Sequence, residues 1–189
     1  MAKFTVVYDA CVLYPKTLRD LLMHLATANL FKAKWSRPIH DEWIRNLHKN
    51  KPDVPIERWE QVRDLMDSYV LDGVVTGFEH LIDCLELPDK DDRHVLAAAI
   101  IGRADAIITF NLKDFPASAL QPYGIEAIHP DKFICAQFDL KPAVVCRCVK
   151  TQREMLKSPP RTVEEHLARL EKVQLPRTVA LLRDFPDEI

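Results

Sequence analysis

The stretch from Leu87 to Pro116 narrows the possible folds of this chain more than any other. It reads LPDKDDRHVLAAAIIGRADAIITFNLKDFP: an acidic cluster, an alanine-rich helix, a short apolar strand and a second polar, acidic turn. Alanines let a helix pack closely against its neighbours, and a wholly apolar short strand is typical of the interior of a parallel sheet. The stretch therefore predicts a buried helix and a buried strand, with carboxylates gathered at their ends.

A second short apolar run, FTVVY from Phe4 to Tyr8, predicts another buried strand, and Asp9 follows it directly. In open α/β sheets, function gathers at the carboxyl ends of the strands. Asp9 is therefore a candidate site residue. The alternative is that Asp9 only caps the next helix, but the segment from Cys11 to Pro15 is expected to delay the start of that helix.

The alternation of strands and helices predicts an α/β protein: a three-layer α/β/α sandwich with a central, mostly parallel sheet and a C-terminal helical extension. We expect a nuclease-like domain over residues 1–136 and the extension over residues 137–189. The predicted strands are 4–8, 74–75, 106–109 and 124–128. The predicted helices include 17–32, one that Ser36 caps, 55–69, 78–84, one from Asp91 or Asp92 to Gly102, 142–156, 162–173 and 176–185. A capping box of Thr162 and Glu165 follows a break that begins at Ser158.

Composition excludes several classes of protein. With 4 Gly in 189 residues the chain has neither a G-x-x-x-x-G-K-[ST] loop nor a G-x-G-x-x-G loop. None of its 5 Cys forms a C-x-x-C pair, so neither a zinc ribbon nor a thioredoxin motif is expected. The formal net charge of −2 predicts no steering of the whole protein toward nucleic acid.

We expect the protein to act in the reducing cytoplasm and not at a membrane. The chain leads from Met1 straight into a short apolar run that already ends at Asp9, which is not the pattern of a secretory signal. Apolar runs also stay well below the roughly 18 residues that a membrane span requires.

The acids at element ends predict a metal site. Asp9 and the turn from Asn111 to Asp114 follow buried strands, so they share one edge of the sheet. Asp92 opens a helix and Glu42 lies early in another, so both can face that edge. Carboxylates crowded together repel one another unless a cation neutralises them, and oxygen ligands suit Mg²⁺ or Mn²⁺. Such a metal activates water against a phosphodiester, which predicts a metal-dependent nuclease.

The most basic region of the chain lies between residues 32 and 51. Within it we select Lys34, Arg37 and Arg45 as candidate contacts to an RNA backbone. For any single one of these charges, a solvated helix face is the favoured explanation. His94, next to the acidic cluster, is the histidine that we would watch for a role in the site.

Three motifs, VVYDACVLYP, SRPIHDEW and DKDDRHVLAAAIIGRADAIITFNLKDFP, resemble the PIN domain family, and in particular its VapC-type toxin ribonucleases. The resemblance covers roughly residues 3–135. The third motif is the most specific, and the other two occur in the expected order. The tail segment KSPPRTVEEHLARL is similar to an extension found on some members of this group.

The resemblance implies an endoribonuclease that depends on Mg²⁺ or Mn²⁺ and acts on single-stranded or structured RNA. It also implies inhibition by a cognate antitoxin, and a homodimer. Asp9, Glu42 and Asp92 match the first three family acids, with Asp91 as an alternative to Asp92. The family commonly has Asp after the strand threonine, where this chain has Asn111. Asp114 then compensates as a ligand, and Thr109 holds a hydrogen bond to a carboxylate or to water.

Other enzyme classes fail at single positions. A haloacid-dehalogenase-type phosphatase requires Asp where Cys11 stands, a low-molecular-weight tyrosine phosphatase requires Arg where Thr17 stands, and a serine hydrolase requires G-x-S-x-G. Two hypotheses stay open: an active ribonuclease held in check by a partner protein, and a catalytically weak or inactive PIN-like module that binds RNA or protein. Asn111 is the reason for the second. The amphipathic tail is expected to cover part of the domain or to dock the antitoxin.

Overall fold

The structure, a computed structural model, describes residues 3–157 and 159–189. Met1, Ala2 and Ser158, on which the predictions about the chain start and the tail break partly rest, lie outside these residues. The strands are β1 (Thr5–Tyr8), β2 (Lys32–Ser36), β3 (Val74–Val75), β4 (Ala106–Ile108) and β5 (Glu126–Ile128). The helices are α1 (Ala10–Leu13), α2 (Lys16–Thr27), α3 (Arg37–Asn50), α4 (Ile56–Tyr69), α5 (Glu79–Ile82), α6 (Arg93–Ile101), α7 (Ala117–Leu120), α8 (Pro130–Leu140), α9 (Pro142–Glu154), α10 (Val163–Lys172) and α11 (Pro176–Leu182). A 3₁₀ turn, Gln121–Tyr123, follows α7.

The strands form a parallel sheet with the order β3-β2-β1-β4-β5. β1 and β4 are buried throughout, as expected for apolar strands inside a sheet with helices around it. The alanine-rich helix α6 contacts β1, β2 and β4, and Ala97, Ala98 and Ala99 are fully buried. The predicted α/β class, with a parallel sheet and C-terminal helices, is confirmed.

One strand and several helix bounds differ from the sequence prediction. The helix predicted over 17–32 ends at Thr27, and Lys32–Ser36 is a strand instead. Exposure alternates along this strand: Lys32 is exposed, Ala33 is buried, Lys34 is partly exposed and Trp35 is buried. This alternation is a strand pattern that the lysine-rich composition hid. The short helices α1 and α7 and the helix α8 were also not predicted.

The chain divides into two compact units, one of residues 1–14 and 31–129 and the other of residues 15–30 and 130–189. The first unit contains the sheet with α1 and α3–α7. The domain boundary at 136/137 stays a prediction; this division falls at 129/130 and joins α2 to the C-terminal helices. Among the described residues, no helix has both the length and the apolar character needed to cross a bilayer.

The second unit is helical. In it α2 packs on α9 and α10, and α8 packs on α9 and α11. The buried Asp131 carboxylate accepts backbone N–H bonds from Arg177 (3.0 Å) and Thr178 (2.8 Å) at the start of α11. The predicted capping box is present: Thr162 and Glu165 satisfy each other's backbone N–H at the start of α10.

Candidate active site

Asp9 and Thr109 meet at the carboxyl edge of the sheet. Tyr8 of β1 lies opposite Ile108 of β4, so the next residue on each strand emerges at the same place. The Thr109 hydroxyl donates a 2.6 Å hydrogen bond to Oδ2 of Asp9, and both side chains are almost inaccessible to solvent. The register of two parallel strands therefore fixes the position of the Asp9 carboxylate.

The Asp9 side chain does not cap the helix that follows it. Contrary to the sequence prediction, α1 begins immediately after Asp9, yet no cap hydrogen bond forms from the carboxylate. Burial raises the pKa of Asp9, the hydrogen bonds from Cys11 and Thr109 lower it, and the charge of Glu42 raises it. A buried carboxylate with an acidic neighbour is an environment in which a cation is favourable.

Cys11 supports Asp9 in a way that sequence reasoning missed. Its thiol donates to Oδ2 of Asp9 at 3.0 Å, and its sulfur accepts the backbone N–H of Phe110 at 3.3 Å. Burial, together with the charge of Asp9, raises the pKa of the Cys11 thiol, so it stays neutral and acts as a donor. Its position two residues after the strand-end acid was the available signal.

Asp92 stands at the start of α6, and its side chain makes no capping bond either. Burial and the charges of Asp9, Asp89, Glu42 and Asp114 raise its pKa to about 7. Four acids are therefore near enough to Asp92 to oppose its ionisation. Three of them are candidates from the sequence, and Asp89 is a fourth that the sequence did not single out.

Asp91, the alternative to Asp92, has a different position. It is exposed, and its backbone N–H donates to Oδ1 of Asp89 at 2.9 Å, an Asx-type turn that leads into α6. Asp92 is the partly buried member of the pair, and it is Asp92 on which the other acids act.

Glu42 projects from α3 and pairs with His94 of α6, with 3.5 Å between Glu42 Oε2 and His94 Nε2. His94 Nδ1 is buried and has no hydrogen-bond partner among the described residues. The pair joins the second acid to the helix that carries Asp92. Sequence reasoning noted His94 but did not connect it to Glu42.

A buried polar network holds the start of α3 and so positions Glu42. Asp67 of α4 accepts the indole N–H of Trp35 at 2.7 Å and lies 3.1 Å from His40 Nε2. Trp43 Nε1 donates to His40 Nδ1 at 3.0 Å. Because an indole can only donate, Nδ1 is an acceptor and the His40 proton sits on Nε2, facing Asp67. The predicted Ser36 cap of α3 is confirmed, since its hydroxyl accepts the N–H of Ile39.

The turn after β4 brings Asn111 and Asp114 to the same edge. Asn111 is exposed, and its backbone N–H donates to the Thr109 hydroxyl oxygen at 2.9 Å. The backbone N–H of Asp114 donates to the carbonyl of Asn111 at 3.0 Å. The turn is thus hydrogen-bonded to Thr109, and the charge of Asp114 raises the pKa of Asp92.

A model of the PIN domain matches residues 5–113, more than half of the chain. The chain belongs to the PIN domain family. The resemblance inferred from the three motifs is thereby confirmed. A second model, described as the VapC50 C-terminal domain, matches residues 130–184, which contain α8–α11.

One curated relative is 43% identical to this PIN-family chain over 84 residues, which are 44% of the chain and 49% of the relative. It comes from Mycobacterium tuberculosis (strain ATCC 25618 / H37Rv) and bears the name "Putative ribonuclease VapC50". The match thus spans about half the length of that relative. No solved structure matches the chain.

The three basic candidates of this PIN domain differ in their surroundings. Lys34 Nζ donates to the carbonyl of Asp72 at 3.0 Å, and Arg37 Nε lies 3.4 Å from Asp41 Oδ1 within α3. Arg45, further along α3, is exposed. Arg37 and Arg45 are accessible to a long anionic strand, whereas the Lys34 ammonium group is already hydrogen-bonded to the loop before β3.

The acids of the PIN domain are chemically suited to a hard divalent cation but are not preassembled around one. Within residues 3–157 and 159–189, no group of three or more His, Cys, Asp or Glu side chains has metal-binding geometry. The charges of Asp9, Glu42 and Asp114 nevertheless oppose ionisation of Asp92. Carboxylates that repel one another stay apart in the absence of a cation. Their oxygen atoms are the type of ligand that Mg²⁺ and Mn²⁺ prefer, so the residues fit such a cation by chemistry.

Proposed function

We propose that this chain is a VapC-type toxin: a metal-dependent endoribonuclease that cleaves single-stranded or structured RNA. The observation that carries the proposal is the buried Asp9 carboxylate, which Thr109 and Cys11 fix at the edge of the sheet. Its charge and those of Glu42 and Asp114 act on Asp92, the acid whose pKa rises to about 7. Membership of the PIN domain family and the name of the mycobacterial relative support the same activity.

Asp9, Asp92 and Asp114 are the proposed ligands of Mg²⁺ or Mn²⁺, with Glu42 beside them. The bound metal would supply activation of water and stabilisation of negative charge on the phosphodiester. Asn111 contributes an exposed amide at this edge, where an oxygen can face a ligand without adding charge. Thr109 and Cys11 have a positioning role, because their donated hydrogen bonds hold Oδ2 of Asp9 in one place.

The remaining polar groups of the site orient and attract the substrate. Glu42 Oε2 lies 3.5 Å from His94 Nε2 on α6, and this contact directs its carboxylate toward the helix that carries Asp92. Arg37 and Arg45 on the same helix offer positive charge to the RNA backbone, which the acids alone would repel. Neutralisation of the acids by a cation would thus strengthen RNA binding, and it is a condition for cleavage.

The partners follow from the toxin proposal. We expect the protein to form a homodimer and to bind a cognate antitoxin protein in the cytoplasm. The helices α8–α11 are the proposed docking element for the antitoxin, because they form a compact unit with α2 and match the VapC50 C-terminal domain model. Removing residues 139–189 would cut α8 at its last turn. The shortened protein should then be insoluble or escape the inhibitor.

Cleavage of RNA tests the activity. Purified protein is incubated with end-labelled RNAs, with Mn²⁺ or with excess EDTA, and compared with Asp9→Asn and with Asp53→Asn, a matched control at an exposed loop acid. Cleavage by the unaltered chain and by Asp53→Asn, lost in EDTA and in Asp9→Asn, is the expected result. Equal cleavage by Asp9→Asn would contradict the site.

The alternative function is a weak or inactive PIN-like module that binds RNA or protein. Asn111, where the family commonly has Asp, is the specific observation that favours it. RNA binding without cleavage of any tested RNA, in the presence of Mn²⁺, would support this alternative over the enzyme.

A further inference from the structure

A cavity of about 610 Å³ lies between the segment that leads to Asp92 and the segment that follows Asp114. Leu87 and Pro88 form part of one wall, directly before the acidic cluster. Pro116 belongs to the other wall, two residues after Asp114. Each wall therefore lies within a few residues, along the chain, of one of the acids.

The floor of the cavity is tied to the acids as well. Leu96 of α6 lines it, one helical turn after Asp92, and the Leu96 N–H lies 3.4 Å from the Asp92 carbonyl oxygen. Side chains four residues apart on a helix are neighbours, with about 5–6 Å between their Cβ atoms. The cavity is therefore within about one helical turn of Asp92 along α6.

The lining combines apolar side chains with exposed polar groups, one of them a carboxylate. Leu85, Leu87 and Leu96 are almost fully buried beneath it, while Tyr123 keeps 46% of its surface exposed at the rim. Glu86 is an exposed member of the lining, and no Lys or Arg belongs to it. Such a surface suits an uncharged planar ring and not a phosphate, because it offers stacking area and no cation.

We propose that this cavity, here called the base pocket, binds a nucleobase adjacent to the cleaved phosphate and selects guanine. The inference rests on the proposed ribonuclease function and adds its substrate preference. The prolines of the walls pack against the base, and the Tyr123 ring stacks on its face. Glu86 reads its edge.

The chemistry of Glu86 decides among the four bases. A carboxylate accepts two hydrogen bonds side by side, and guanine alone offers two neighbouring donors, N1–H and the N2 amino group, on one edge. Adenine and cytosine place an acceptor nitrogen beside their amino group, and uracil flanks its single N–H with carbonyl oxygens. A paired contact of this kind discriminates by about 1–3 kcal/mol, which corresponds to about 5- to 150-fold in affinity.

Binding is measured in a cleavage-defective background, so that it does not depend on turnover. The full chain carrying Asp9→Asn is titrated in Mg²⁺ against fluorescein-labelled hexauridylate and against versions with one central G, A or C. Anisotropy gives each Kd. The G-containing strand should bind at least about fivefold more tightly than the other three.

Two variants in the same background test the two contacts. Tyr123→Ala should weaken binding of all four strands about tenfold, whereas Tyr123→Phe should not, because stacking needs only the ring. Glu86→Gln should abolish the preference for G. Tyr69→Ala and Glu57→Gln, exposed residues of α4 outside the pocket, are matched controls and should change neither property.

The outcomes separate this inference from the function on which it rests. Tight RNA binding with equal affinity for all four strands, or a preference for G that survives Glu86→Gln, overturns the base pocket and leaves the ribonuclease proposal standing. No binding of any strand, together with no cleavage by the unaltered chain, overturns both. The preference for the G-containing strand is measured on the protein that still has Tyr123 and Glu86. A pocket variant that misfolds therefore does not prevent this measurement.

Discussion

The hydroxyl of Thr109 donates a 2.6 Å hydrogen bond to Oδ2 of Asp9, although 100 positions of sequence separate them. The same hydroxyl oxygen accepts the backbone N–H of Asn111. Since a hydroxyl has a single proton, Thr109 is the donor to Asp9 and the acceptor from Asn111. One buried side chain thus joins the ends of β1 and β4 and the turn that carries Asn111.

Replacing Thr109 with Val should slow RNA cleavage in Mn²⁺ by about 10- to 100-fold, the usual cost of removing a group that orients a metal ligand. Val keeps the shape of Thr but loses the hydroxyl, so Asp9 keeps only the thiol of Cys11 as a side-chain donor. Single-turnover cleavage of labelled RNA measures the effect. Thr109→Ser retains the hydroxyl and should stay within a few-fold of the unaltered protein; equal loss in both would point to packing instead.

Replacing Asp92 with Asn should stabilise the metal-free protein at high pH. The folded-state pKa of Asp92 is about 7, above the value of roughly 4 in an unfolded chain. The folded state therefore loses stability as the pH rises from about 4 to about 7, and the full cost remains above 7. Because the group is only half-buried, we expect a gain of about 1–2 kcal/mol, or a few degrees in Tm.

Thermal unfolding in EDTA at pH 5 and pH 8 tests the Asp92 prediction. The Asp92→Asn gain should be larger at pH 8, and Asp91→Asn, at the exposed neighbouring acid, should show little change at either pH. A gain that is the same at both pH values would mean that repulsion among the acids is not its cause.

The fold followed from the sequence wherever the signal was local. FTVVY and the alanine-rich helix gave a buried strand and a buried helix, and β1 and α6 lie where these patterns predict them. The strand Lys32–Ser36 was missed because Lys32 was assigned to the end of a helix and Lys34 to a basic region. Pairing with β1 on one side and β3 on the other fixes that segment as a strand.

The supporting contacts of the site could not be predicted in the same way. Asp9 and Thr109 each end a strand, so their meeting requires only that β1 and β4 be neighbours. The thiol of Cys11 depends on the shape of one turn, and the pairing of Glu42 with His94 depends on how α3 meets α6. Such contacts come from tertiary packing, which carries no periodic trace in one sequence.

Replacing Asn111 with Asp should lower the Mn²⁺ concentration needed for half-maximal cleavage by several-fold. The change adds a negative charge at the edge where the acids gather, and ligand charge is a main determinant of divalent cation affinity. The backbone N–H bond to Thr109 does not depend on the side chain. Asn46→Asp, on an exposed position of α3, is the control for added charge. An unchanged Mn²⁺ requirement would place Asn111 outside the metal site.

His166 in α10 should make the protein sensitive to acid. It is buried, and neither ring nitrogen has a hydrogen-bond partner among the described residues. Burial and the charges of Arg161, Arg153 and Arg169 lower its pKa to about 4. The unfolded histidine takes up a proton near pH 6.5, so stability is complete above that pH and falls as the pH drops toward 4.

Urea unfolding at pH 7 and pH 4.5 measures the contribution of His166. The unaltered protein should lose about 2 kcal/mol more than His166→Phe over this interval, because Phe fills the site without titrating. His80→Phe, at an exposed histidine, should behave like the unaltered protein. Parallel losses in all three proteins would assign the acid sensitivity to other groups.

Binding of Mn²⁺ to the full chain is the most direct test of the metal site at Asp9. Free Mn²⁺ is followed by its electron paramagnetic resonance signal as protein is added at pH 7.5, for the unaltered chain, Asp9→Asn and the Asp53→Asn control. The unaltered chain and the control should remove Mn²⁺ from solution, and Asp9→Asn should bind at least about tenfold more weakly. Equal binding by all three proteins, or none by the unaltered chain, would contradict a metal-dependent site built on Asp9.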